Sequence, residues 1–116
     1  MKKTTKGDFE IFRKSFMFWS DKLGVKGYKI WFRTEDLESN FAECRTNETG
    51  KNAVIVMTSE LADRDYEKFN PADSGKHEAI ELLFSAYDGT AKYRYATPEQ
   101  LNEERHRIIR TLEKFL

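Results

Sequence analysis

One cysteine, two histidines and no net charge set the limits on this chain of 116 residues. With Cys44 as its single cysteine the chain can form no intrachain disulfide, and a cysteine-based zinc site is excluded. Twenty Lys and Arg are balanced by twenty Asp and Glu, so no global electrostatic case exists for nucleic acid or an anionic membrane. No apolar run approaches membrane-spanning length, and Met1-Lys2-Lys3 lacks the following apolar stretch of a signal peptide. These absences lead to the expectation of a cytoplasmic protein. Any metal site would have to use histidines and carboxylates.

Aromatic residues are plentiful: nine Phe, five Tyr and two Trp. They argue for a packed globule, and the length suits one domain with a single core, residues 1–116. Residues 8–23 read as a first helix, because Phe9, Phe12, Phe16, Trp19 and Leu23 form one apolar stripe, with Asp8 as N-cap and Gly24 as stop. Helical spacing makes this stripe core, not a base-stacking surface. Three strands follow, over residues 28–33, 40–46 and 53–58, with a break at 34–39. The last two read as an antiparallel hairpin around the polar loop 47–52. Cys44 most simply packs inside that sheet.

Residues 59–74 form a long polar connection, with a short helical turn expected at 60–65 and a cap for the next helix at Asp73 or Ser74. That helix is expected to end at Gly89 and Thr90. Thr97, Pro98 and Gln100 then signal the start of a final helix through a capping box. The fold class is α+β, with a three-stranded sheet packed with an N-terminal, a central and a C-terminal helix.

The central helix carries the chemistry. In Lys76-His77-Glu78-Ala79-Ile80-Glu81, His77 and Glu81 lie one turn apart and only ~40° apart around the axis. Two such side chains can share a metal ion. A glutamate beside the first, here Glu78, can take the proton of water activated by that ion, which is the logic of H-E-x-x-H. The last position is Glu81 instead of histidine. Apolar residues of this helix cover an arc of ~200°, and His77, Glu78, Glu81, Ser85 and Asp88 fill the remaining strip. The strip is either the lining of a cleft or the solvated edge of a core helix.

A catalytic zinc usually has three protein ligands. A ligand six residues beyond the motif is excluded, because Tyr87 stands there and Phe84 occupies the glycine position. The final helix offers Glu104 and His106. With Leu101 as zero, Glu104 falls near ~300° on the border of the apolar face, and His106 near ~140°, pointing further away. Chemistry favours His106 and the projection favours Glu104, so both stay open.

Taken together, these residues resemble small single-domain zincin-like metallopeptidase proteins carried mainly by phages and prophages. The resemblance spans the aromatic first helix with Trp19 and Gly24, Val54-Ile55-Val56, Lys76-His77-Glu78-Ala79, Leu82-Leu83, Arg107-Ile108-Ile109-Arg110 and Leu112-Glu113-Lys114. It implies a zincin-like fold, His77 as a metal ligand and Glu78 as the catalytic base, with Glu81 departing from the family's second histidine. The implied ion is zinc. The added carboxylate moves preference toward harder ions such as Mn²⁺, and a degenerate site would hold none. Tyr95 or Tyr93 is the candidate hydrogen-bond donor to an oxyanion. Residues 53–58, if an edge strand, could hold an extended peptide substrate. If the chain is phage-encoded, its compartment is the host cytoplasm.

Two rivals accompany this expectation. One is a catalytically inactive zincin fold that binds a host protein partner. The other, a nucleic-acid module built on Arg105, Arg107, Arg110 and Lys114, is weak at zero net charge.

Overall fold

The structure, a computed structural model, describes residues 1–47, 49–92 and 96–115. Its first helix, α1 (Lys6–Lys22), follows a two-residue strand, β1 (Lys2–Lys3). The cap of α1 is Thr5, not Asp8: the Thr5 hydroxyl accepts from the Asp8 amide at 3.0 Å, and the Asp8 carboxylate accepts from the Thr5 amide at 2.9 Å. Asp8 is thus the far half of a capping box whose near half lies three residues earlier. Gly24, with φ of +69°, ends the helix in a conformation that costs glycine least.

Three strands build the main sheet: β2 (Lys29–Glu35), β3 (Ala42–Asn47) and β4 (Asn52–Thr58), in the order β2-β4-β3. β2 runs parallel to β4, and β3 pairs with β4 as the expected antiparallel hairpin. β2 continues through Thr34 and Glu35, where a break was expected. The reading of residues 53–58 as a possible substrate-binding edge is overturned, since β4 is the central strand. Its neighbouring residues Ile55, Val56 and Met57 are all fully buried, so both faces of the strand are covered, as suits a central position. Ile30, Phe32, Ala42, Cys44, Ala53, Ile55 and Met57 face the helices. On the opposite face Arg45 of β3 reaches Glu35 of β2 at 2.6 Å and Glu43 at 2.9 Å, an ion-pair strap across the sheet.

Strand β5 (Glu60–Leu61) pairs antiparallel with β1, and α2 (Asp63–Lys68) follows it, later than the expected turn. The Tyr66 hydroxyl donates to Asp8 at 2.7 Å, tying α2 to the start of α1.

α3 (Pro71–Lys92) begins earlier and ends later than its sequence signals suggested. The cap is Asn70, whose side-chain oxygen accepts from the amides of Ala72 at 3.0 Å and Asp73 at 3.2 Å. Pro71 sits at the first helical position, where its missing N–H costs nothing. Gly89 and Thr90 lie within the helix, where an interior glycine costs about 1 kcal/mol. The final helix, α4 (Pro98–Glu113), has the capping box expected at Thr97 and Gln100.

α3 packs against α1, α4 and β3. Ser15 donates to the carbonyl of Ala72 at 2.5 Å, and Lys76 stands over the Trp19 ring at 4.5 Å, so α1 and α3 run in the same direction. Ala79, Leu82 and Leu83 of α3 join Phe12 and Phe16 of α1 and Ile108 of α4 in one core. Burying each such leucine or phenylalanine contributes about 2–3 kcal/mol. Among the described residues, no helix is long and apolar enough to cross a membrane.

Candidate functional site

Glu78 is the charged residue this packing treats most unusually. It follows Gly75 by three residues and precedes Leu82 by four, so it lies on the flank of the buried α3 face and not out on the polar strip. Only 6% of the residue is exposed. Among the described residues its carboxylate has no hydrogen-bond or ion-pair partner, yet no fully enclosed side-chain oxygen lacks one. Both oxygens must therefore keep a little solvent contact. The acid is largely buried and keeps only slight solvent contact at its oxygens.

That setting acts on its proton. Burial, the largest influence, raises the Glu78 pKa from 4.5 to about 7; His77 opposes the rise, while the charges of Glu81 and of Glu43 on β3 add to it. A carboxylic acid that titrates near neutrality can both take and return a proton.

His77 precedes Glu78 by one residue on α3, and Glu81 follows it by three. The nearest atoms of His77 and Glu81, Nε2 and Oε1, are 3.4 Å apart, and both side chains are mostly exposed. This separation is long for a hydrogen bond. It matches the ~3.3–3.4 Å between neighbouring corners of a tetrahedral ion with bonds of ~2.0–2.1 Å. The distance alone is compatible with two positions of one coordination shell and equally with an ordinary i,i+4 His–Glu contact.

No described third donor joins them. Among the described residues, no three His, Cys, Asp or Glu side chains form a group able to hold a metal. Glu104 accepts from Arg107 at 3.0 Å, and Arg107 also donates to the Leu83 carbonyl at 3.3 Å. Both α4 residues line a separate cleft of about 300 Å³ with Lys26, Tyr28, Lys51 and Leu82. His106 is exposed, its Nδ1 lying 2.9 Å from the Asn102 carbonyl of its own helix. Tyr93 and Tyr95, the oxyanion candidates, lie outside the described residues.

Glu43 was not among the residues singled out from the sequence. It alternates with core-facing Ala42 and Cys44 and is bound by Arg45, so nothing local distinguishes it from an ordinary strand-surface acid. Only the approach of β3 to α3 brings its charge near Glu78.

No protein-family model, curated protein or solved structure matches the chain.

Proposed function

We propose that the His77–Glu78–Glu81 face of α3 is a hydrolytic site, in a zincin-like metal-dependent peptidase, with Glu78 as the general base. The observation that carries this reading is a largely buried carboxylate with no partner among the described residues, next in the helix to an exposed His–Glu pair 3.4 Å apart. A carboxylate buried for structural reasons alone would normally be paired or bonded.

His77 and Glu81 would hold the ion, and the remainder of its shell would be water or substrate. Two protein donors suit a water-rich ion such as Mn²⁺ better than a three-ligand catalytic zinc. Bound there, the ion would supply Lewis acidity toward water and toward a substrate carbonyl. Glu78 would accept a proton from the attacking water and pass it to the leaving amine. Burial holds the acid near neutrality in pKa, which suits both directions of transfer. β3 is an edge of the sheet and lies against α3, so an extended peptide could pair with it alongside Glu78.

The incomplete ligand set favours a second reading, a zincin-like domain that binds a protein partner and catalyses nothing. The two separate in one experiment. Protein supplied with Mn²⁺ or Zn²⁺ is incubated with a quenched-fluorescence peptide library, beside a Glu78→Gln variant. Cleavage by the wild type, lost in the variant while metal affinity persists, supports the peptidase. No divalent-ion binding, or binding without cleavage of any peptide, transfers the conclusion to the partner-binding reading.

A further inference from the structure

A groove of about 560 Å³ lies at the other edge of the sheet, between β2 and the first turns of α1. Its lining includes Phe9 and Phe32, with Lys6, Glu10, Arg33 and Thr34 around them. The main chain along this groove has a fixed polarity. The Lys29 amide donates to Lys51, and the Glu35 carbonyl accepts from Ser59, so the odd-numbered residues of β2 bond toward β4. Ile30, Phe32 and Thr34 therefore turn their N–H and C=O groups to the open side. No described group bonds them there.

The charges along the groove are unequal. Glu10 is held by Arg13 at 3.1 Å, while Lys6 has no ion-pair partner among the described residues. Arg33 has only a 3.4 Å contact with Glu35, whose carboxylate is already bound by Arg45 at 2.6 Å. The side chains of β2 alternate in character as well, Phe32 toward the helices and Trp31 and Arg33 away from them.

We propose that this groove binds an extended peptide segment of alternating apolar and acidic residues, added to β2 as a fourth strand. The open N–H and C=O groups of Ile30, Phe32 and Thr34 pair with its backbone. Its apolar side chains cover Phe9 and Phe32, and its carboxylates, on the other face, meet Arg33, while Lys6 at the helix side of the groove adds positive potential. Backbone pairing supplies affinity, and the combined positive charge selects the sign of the partner's charge. The site lies on the opposite edge from α3's Glu78 and does not depend on hydrolysis there.

The test is fluorescence anisotropy of the full chain with a labelled peptide of alternating valine and glutamate. Saturable binding is expected. It should weaken by about tenfold or more when alternate peptide amides are N-methylated, or when lysine replaces the glutamates. A Lys6→Glu, Arg33→Glu double variant should reverse the charge preference, and Glu78→Gln should leave binding unchanged. Because the peptide controls use the unaltered chain, they hold even if the double variant misfolds. The proposal is overturned by absence of saturable binding, by indifference to N-methylation, or by loss of binding in Glu78→Gln. Sedimentation showing β2 already occupied by a second copy of the chain would overturn it too.

Discussion

Gly75 of α3 stands so close to Phe12 of α1 that a Cβ in its place would lie 2.5 Å from the Phe12 carbonyl oxygen. The same atom would lie 3.0 Å from the Phe16 amide nitrogen. Both neighbours are helix backbone and cannot turn aside as a side chain would. A Gly75→Ala variant gains about 1 kcal/mol in helix propensity but must separate the two helices. The expected result is a net loss of about 1–3 kcal/mol in denaturant unfolding. An alanine variant as stable as the wild type would mean that α1 and α3 are not in backbone contact.

The start of α3 rests on Asn70, whose side-chain oxygen serves two amides that would otherwise have no partner. Asn70→Ala should cost about 1 kcal/mol, and Asn70→Asp should restore most of it, because aspartate accepts the same bonds. Thermal unfolding of the three proteins at one pH checks this. Equal stability of the alanine variant would place the functional start of the helix further along, near Asp73.

What the sequence made readable was local. The aromatic stripe ending in Leu23, the hairpin of β3 and β4, and the Thr97–Gln100 capping box each depend on residues a few positions apart. The start of α3 is equally local, yet Asn70-Pro71 sits inside a long polar stretch that also offers Asp73 and Ser74 as caps. The central place of β4 follows from its pairing with both β2 and β3, and no pattern within residues 53–58 states it. Glu78 is the clearest case. The helical projection puts it beside His77 and Glu81, but its burial and the nearby charge of Glu43 come only with the assembled fold.

The buried Glu78 carries a pH signature. Its pKa is about 7 in the folded chain against 4.5 for the free group. Below pH 4.5 it is protonated in both states, and the shift has no effect on stability. As pH rises toward 7 the unfolded chain releases this proton first, so stability falls, and above about 7 the deficit stays constant. At about 1.4 kcal/mol per pKa unit the ceiling is about 3 kcal/mol, and solvent contact at the oxygens lowers it to about 1–2 kcal/mol. Glu78→Gln, uncharged throughout, should therefore be more stable than the wild type at pH 8 and nearly equal to it at pH 4.5. Denaturant titrations with chelator present read this directly. A variant less stable at pH 8 would show that the carboxylate is held by a partner.

In the proposed site His77 and Glu81 would share one ion, and their surroundings would set how tightly it is held. Two exposed donors, with no third among the described residues, would leave most of the shell to water, so affinity should be modest. Calorimetric titration with Zn²⁺ and Mn²⁺ should give one site. His77→Ala and Glu81→Ala should each weaken it by about tenfold or more, since either change leaves a single protein donor. Glu104→Ala and His106→Ala should leave it unchanged, because Glu104 is engaged by Arg107 and His106 stands against its own helix. A tenfold loss in either α4 variant would mean that the ion draws α4 toward Glu81 on binding. The arrangement described for the free chain would then be the open form of a three-ligand site.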